Sequence, residues 1–134
     1  MEQENRYIVI VDDDEDDRLF LKEAFIENGS PDQFVFFENG VKLLDFLVKE
    51  MKNPPLLIII DLHMPLKNGK ETLLEIKSNV RFRSIPVLIL STGITPQTKK
   101  EVLDLGANCI VSKPNNFQDI KDLAKNISTV WNFN

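Results

Sequence analysis

Carboxylates end two of the most apolar segments of this 134-residue sequence, and a hydroxyl and a lysine follow two others. Asp12 and Asp13 follow the run YIVIV, and Asp61 follows LLIII. Ser91 follows PVLIL, and Lys113 comes two residues after CIV. Oxygen ligands without a cluster of histidines or cysteines are typical of a hard cation such as Mg²⁺. Carboxylates, a divalent cation, a hydroxyl and an ammonium together indicate phosphoryl transfer, in which an aspartate can be the nucleophile.

The apolar runs alternate with helical patterns along the chain. Their apolarity is continuous, which is typical of strands that are covered on both faces of a parallel sheet. The predicted strands are 7–11, 34–37, 56–60, 86–90 and 109–111. Repeated strand–helix alternation predicts an α/β fold with right-handed crossovers. Because open α/β sheets carry their sites at the carboxyl ends of the strands, we expect the polar groups to meet at one edge.

Each helical pattern has boundary signals and an apolar stripe. Asn39, Thr95 and Asn116 are the predicted N-caps of the second, fourth and fifth helices. Pro96 is placed at the first position of the fourth helix, and Gly106 at its C-terminal stop. The residues predicted to face the core are Phe20, Leu21, Ala24 and Phe25 in the first helix; Val41, Leu44, Leu47, Val48 and Met51 in the second; Leu73 and Ile76 in the third, at about 69–79; and Phe117, Ile120, Ala124, Ile127 and Trp131 in the fifth.

The remaining acids of the run DDDEDD have a simpler interpretation. Acidic side chains in a first helical turn favour the positive end of the helix dipole, and we interpret Glu15, Asp16 and Asp17 in this way. The role of Asp14 is left open: it is either such a helix-end charge or a residue at the rim of a cation site.

Composition limits the possible classes of protein. The net charge of −5 argues against binding to nucleic acid or to an anionic membrane. No apolar run approaches the roughly 20 residues of a membrane span, and the N-terminus lacks the apolar segment of a signal peptide. Cys109 is the only cysteine, which excludes a disulfide framework and predicts a small buried thiol. We therefore expect one cytoplasmic domain, residues 1–134.

The polar segments, in their order and spacing, resemble a known family. They are VDDD at 11–14, DLHMPLKNG at 61–69, PVLILST at 86–92 and SKP at 112–114. At the ends of four predicted strands, together they resemble the receiver domain of two-component response regulators over essentially the whole chain. The resemblance implies a flavodoxin-like, doubly wound (βα)5 fold whose five parallel strands lie in the order 2-1-3-4-5.

The resemblance also implies a cofactor, a donor and a ligand set. Asp61 would be the phosphoacceptor in a Mg²⁺-dependent phosphorelay, and the donor would be a sensor histidine kinase or a histidine phosphotransfer protein. Asp13 would ligate the cation directly, and Asp12 would act largely through water. Asp61 and the backbone carbonyl of His63 would complete the protein ligands.

Further roles concern the phosphoryl group. Ser91 and Lys113 would each bind a phosphoryl oxygen, and the Lys113–Pro114 peptide bond would be cis. The His63 side chain lies at a position that influences phosphate lifetime in the family, although a solvated loop residue is an equally good interpretation. Thr92 would lie at the rim of the phosphoryl site and would be a second residue, besides His63, that modulates its chemistry.

A departure from the family concerns the switch. Ile110 stands where many receivers carry an aromatic residue that rotates inward. An isoleucine has few rotamers and no polar edge, so a large ring rotation is excluded. We expect a smaller movement of the loop 91–95. This movement would alter the face formed by the fourth helix, the fifth strand and the fifth helix.

Other functions fit part of the pattern. A pseudo-receiver would bind partners without phosphorylation, although the set of acids, hydroxyl and lysine is complete. A haloacid-dehalogenase-like phosphatase would need an acid where His63 stands, and a Rossmann unit would need a glycine-rich loop after a strand. Because the sequence ends after the fifth helix, we expect a stand-alone receiver that signals by contact with an unknown protein or relays phosphate. The pseudo-receiver is the alternative.

Overall fold

A computed structural model describes residues 6–29 and 33–131, and the apolar runs in these ranges form one parallel sheet. Its strands are β1 (Tyr7–Val11), β2 (Gln33–Phe37), β3 (Leu57–Asp61), β4 (Val87–Ser91) and β5 (Cys109–Ser112). They lie in the order β2-β1-β3-β4-β5, and each adjacent pair is parallel. The central strands β1, β3 and β4 are buried along their whole length. The predicted flavodoxin-like α/β fold and its strand order are confirmed.

Helices cover both faces of this sheet. They are α1 (Glu15–Glu27), α2 (Gly40–Lys49), α3 (Gly69–Ser78), α4 (Pro96–Asp104) and α5 (Phe117–Trp131). Side chains of α1 and α5 pack with one face of the strands, and those of α2, α3 and α4 pack with the other. The alternating inward directions of successive strand residues explain why both faces are apolar. Among the described residues, no helix has the length and apolarity needed to cross a membrane.

The helices begin where the sequence predicts. The side chains of Asn39, Thr95 and Asn116 accept hydrogen bonds from backbone N–H groups three residues later, as predicted N-caps do. Gly106 follows α4 with a φ of 111°, which only glycine adopts at low cost. The cap of α3, Asn68, forms a capping box with Glu71.

The predicted core face of α2 is partly wrong. Val41 and Val48 are 40% and 52% exposed, while Leu44 and Met51 are only partly buried. The residues of α2 that are buried are Gly40, Leu43 and Leu47. A Cβ at Gly40 would lie 1.9 Å from Oγ1 of Thr72 on α3, so the two helices approach closely at this glycine. That contact turns the Gly40 side of α2 inward, and Leu43 and Leu47 follow at spacings of three and seven residues.

Two smaller predictions are also corrected. Phe20 of α1 is 43% exposed, and its ring lies against that of Phe117, with 6.3 Å between centroids. Cys109 is only partly buried, because β5 is an edge strand with a single neighbouring strand. Its partial burial raises the pKa of the thiol.

Candidate phosphoacceptor site

The carboxyl ends of the strands bring the predicted polar residues to one edge. Asp12 follows β1, Asp61 ends β3, Ser91 ends β4 and Lys113 follows β5. Sheet hydrogen bonds continue beyond the strand ends and hold these positions. The backbone N–H of Asp12 donates to Phe37 (3.1 Å), and that of Lys113 donates to the carbonyl of Ser91 (2.9 Å).

Three of the predicted carboxylates form a compact group. Asp12, Asp13 and Asp61 each offer an oxygen within 4.8 Å of the others. Asp12 and Asp61 are buried, and Asp13 is exposed. One Asp12 oxygen accepts a hydrogen bond from the backbone N–H of Asp14 at 2.9 Å. The other, Oδ2, is buried and accepts no aligned hydrogen bond, and the ammonium of Lys113 lies 3.0 Å from it.

Lys113 is the cationic centre of this edge. Its Nζ lies 3.0 Å from Oδ2 of Asp12, 3.0 Å from Oδ2 of Asp61 and 2.8 Å from Oδ2 of Asp17. The bond to Asp61 is an aligned hydrogen bond, whereas the contact with Oδ2 of Asp12 is an ion pair without hydrogen-bond alignment.

Burial and charge act in opposite directions at these groups. Burial raises the pKa of Asp12 to about 6, against the lowering effects of the Asp14 N–H and of Lys113. Burial also lowers the pKa of Lys113, but its contacts with Asp17, Asp12 and Asp61 outweigh burial and hold that pKa above its ordinary value. The lysine is therefore charged at neutral pH, amid an excess of negative charge.

Asp17 is the residue of this edge that sequence reasoning missed. Its interpretation as a helix-end charge overlooked the ion pair with Lys113. The available signal was its place in the first turn of a helix that begins four positions after the last residue of a strand. Asp14, in contrast, caps α1, because its Oδ1 accepts from the backbone N–H groups of Asp16 and Asp17.

The loop after β3 has a tightly constrained backbone. Leu66 has a φ of 68°, and the N–H of Lys67 donates to the carbonyl of Pro65 at 2.8 Å, which closes a γ-turn. A Cβ at Gly69 would lie 2.8 Å from the Cα of Leu62, so only glycine fits there. This close approach holds α3 against the end of β3, beside Asp61.

His63 and Ser91 meet at the rim of the site. The backbone N–H of His63 donates to Oδ1 of Asp61 at 3.2 Å, and the exposed His63 ring has Nε2 3.5 Å from Oγ of Ser91. The buried Ser91 hydroxyl donates to the carbonyl of Thr92 at 3.0 Å. The side chain of Thr92 is exposed.

Two further predicted features lie beside the site. Ile110 pairs with Ile89 in the sheet and is partly buried against the cluster under α2, α3 and α4. The predicted cis bond between Lys113 and Pro114 is wrong, because the described residues contain no cis peptide bond. Trans is the lower-energy isomer of an X–Pro bond, by about 0.5–1 kcal/mol.

The site combines two buried carboxylates and one exposed carboxylate with a charged ammonium, at a partly buried edge of the sheet. Such a site can bind a divalent cation and an anionic group together. The protein is therefore a doubly wound α/β domain with an acidic site at the carboxyl ends of its strands.

The chain belongs to the response regulator receiver domain family, whose model matches residues 8–125. It is 28% identical over 130 residues to response regulator Rcp1 of Synechocystis sp., covering 94% of this chain and 88% of Rcp1. It is 32% identical over 121 residues to sporulation initiation phosphotransferase F of Bacillus subtilis, covering 90% and 92% of the two chains.

Solved structures show the same similarity. The crystal structure of Mn²⁺-bound Rcp1 has a TM-score of 0.83 and 27% identity, covering 93% of each chain. The phosphorylated cyanobacterial phytochrome response regulator RcpA has a TM-score of 0.84 and 32% identity, covering 93% of this chain and 92% of RcpA.

Proposed function

We propose that this receiver domain accepts a phosphoryl group on Asp61. One observation carries this proposal: the buried Asp61 carboxylate lies 3.0 Å from the ammonium of Lys113 and within 4.8 Å of carboxylate oxygens of Asp12 and Asp13. The donor would be a phosphohistidine of a sensor histidine kinase or of a histidine phosphotransfer protein. Similarity to a sporulation initiation phosphotransferase and to the phosphorylated response regulator RcpA supports this chemistry.

The transfer step forms one bond and breaks one. An Asp61 oxygen attacks the phosphorus, the O–P bond forms, and the N–P bond of the donor breaks. The leaving imidazole takes up a proton. Hydrolysis ends the signal: a water oxygen bonds to phosphorus, the Asp61 O–P bond breaks, and inorganic phosphate leaves while one water proton passes to solvent.

The acidic group would hold Mg²⁺. Asp13 and Asp61 would ligate it directly with the backbone carbonyl of His63, and Asp12 largely through water. The three carboxylates, each with an oxygen within 4.8 Å of the others, support this fit. When bound, the cation supplies positive charge that offsets the crowded carboxylates and the incoming phosphoryl oxygens. Oxygen ligands in small number, with open positions for water, suit Mg²⁺.

Mg²⁺ should stabilise the wild-type protein, and removal of one acid should stabilise the metal-free form. At ten times its dissociation constant, the cation adds about 1.4 kcal/mol by mass action, or roughly 3–5 °C in the melting temperature. Asp13→Asn should melt higher than wild type without the cation, because it relieves repulsion among the carboxylates, and should respond less to it. Thermal unfolding with and without millimolar Mg²⁺ measures both effects. A wild-type melting temperature indifferent to Mg²⁺ would count against a cation site.

Ser91 and Lys113 would bind phosphoryl oxygens, with His63 and Thr92 at the rim. The Ser91 hydroxyl now donates to the Thr92 carbonyl, so binding a phosphoryl oxygen requires it to leave that acceptor. Its release frees the loop after β4 to move inward. The His63 ring lies beside Ser91, so it would be close to a phosphoryl group bound by that hydroxyl.

His63→Ala should change the lifetime of phospho-Asp61 without preventing its formation. The ring can screen or orient the attacking water, whereas the backbone N–H that contacts Asp61 is retained in the variant. Decay of the phosphorylated protein after removal of the donor measures the lifetime. Equal lifetimes in the two proteins would make His63 an ordinary solvated loop residue.

Phosphorylation should move the loop 91–95 while Ile110 keeps its rotamer. Phosphate adds a charge of about −1.5 to −2 and strong acceptors, which attract Ser91 and Lys113. Ile110 is already packed against the core and has few alternative rotamers. We expect NMR shifts on binding of beryllofluoride, a phosphoryl mimic, near Asp61 and on the face formed by α4, β5 and α5. This face would contact the downstream protein. A change of rotamer at Ile110, or shifts mainly on α1, would contradict this switch.

The same titration tests the proposed function. With Mg²⁺ present, beryllofluoride should shift the amide signals at the ends of β3, β4 and β5. A pseudo-receiver would show no such shifts, because it would not bind the mimic.

A further inference from the structure

A third carboxylate, beside those of Asp12 and Asp61, contacts Lys113 from the first turn of α1. Oδ2 of Asp17 lies 2.8 Å from Lys113 Nζ, closer than the 3.0 Å of the other two ion pairs. The side chain of Asp17 is 34% exposed and that of Lys113 is 19% exposed, so water screens the contact only in part. Asp17 is not among the acids close enough to share a cation, which are Asp12, Asp13 and Asp61.

Both ends of this ion pair are held by the backbone around them. The cap Asp14 accepts from the N–H of Asp16 at 2.8 Å and from that of Asp17 at 3.4 Å, which orders the first turn of α1. The N–H of Lys113 donates to Ser91 at 2.9 Å, which fixes the start of the lysine side chain. The pair therefore needs little additional ordering to form.

The three partners of Lys113 differ in what happens to them on phosphorylation. Asp61 would carry the phosphoryl group, and Asp12 would face the cation. Asp17 would do neither, so its negative charge would still be paired with Lys113 when the phosphoryl oxygens approach the lysine. An ammonium has three donors and one positive charge, which the carboxylate and the phosphoryl group must share.

We propose that Asp17 is a positioning residue that holds Lys113 while Asp61 is unphosphorylated and competes with the phosphoryl group for the lysine. This inference rests on the proposed function and deepens it. Asp17 would lower the affinity of the site for the phosphoryl group and favour the unphosphorylated state. It would also keep the lysine ordered while no phosphate is bound.

Two variants distinguish the competition for Lys113 from the positioning of Lys113. Asp17→Asn removes the charge and keeps an oxygen that can accept from Lys113, whereas Asp17→Ala removes both. At saturating Mg²⁺, Asp17→Asn should bind beryllofluoride about three- to tenfold more tightly than wild type. Asp17→Ala should gain less, because its lysine is no longer positioned.

The matched control is Asp16→Asn, which removes an exposed carboxylate from the same helical turn. It should bind beryllofluoride with the affinity of wild type. Amide spectra of each mimic-free variant show whether the fold is retained, and NMR titrations give the affinities.

Each result decides between the inference and its competitors. If wild type binds beryllofluoride but Asp17→Asn binds no more tightly than Asp16→Asn, the competition is wrong and the proposed function stands. If Asp17→Ala gains as much as Asp17→Asn, Asp17 does not position Lys113. If wild type itself fails to bind the mimic, the proposed function fails and the inference fails with it.

Discussion

Asp61→Asn should take up no phosphate from a small phosphodonor in the presence of Mg²⁺, whereas wild type should take up one acid-labile phosphate per chain. The expected loss is complete, because an amide oxygen does not replace a carboxylate as the nucleophile. The fold should survive, since asparagine has the same shape and can still accept from the N–H of His63. Mass spectrometry of the intact protein, before and after acid treatment, measures the uptake.

The matched control is Asp45→Asn, which removes an exposed carboxylate from α2, outside the site. It should be phosphorylated like wild type. Uptake by Asp61→Asn equal to that of wild type would exclude Asp61 as the acceptor and would favour the pseudo-receiver alternative.

Lys113→Met should weaken beryllofluoride binding about 10- to 100-fold, because a hydrogen bond to a charged group contributes about 1.5–3 kcal/mol. The change should also lower the free energy of unfolding of the metal-free protein, by about 1–3 kcal/mol. Lys113 now forms ion pairs with three carboxylates at a partly buried edge. Without the ammonium, these carboxylates remain close together and repel one another. Titration with the mimic gives the affinity, and denaturant unfolding without cation gives the stability.

Lys99→Met is the control for this variant. Lys99 is exposed on α4, so its loss should change neither affinity nor stability appreciably. Wild-type affinity in Lys113→Met would show that Lys113 does not bind the phosphoryl group. Unchanged stability would show that repulsion among the carboxylates is already relieved by solvent.

The strands, the helix caps and the edge at which the polar residues meet were predictable from the amino-acid sequence. These features depend on short-range patterns: continuous apolar runs, cap residues such as Asn39 and Thr95, and parallel strands whose carboxyl ends share one edge. The four polar segments at those ends were enough to indicate the receiver family. The backbone and the local side-chain chemistry carry this information, so no tertiary contact was needed to read it.

The contacts between side chains of different helices and strands became known from the packed fold. The contact of Gly40 with Thr72 turns α2 so that Leu43, rather than Val41, is buried, although both are apolar and equally suited to a stripe. The ion pair of Asp17 with Lys113 joins residues 96 positions apart in the chain, a separation at which no periodicity operates. Helix rotation and ion pairing depend on distances between elements, and these are set by close packing of the whole domain rather than by any local pattern.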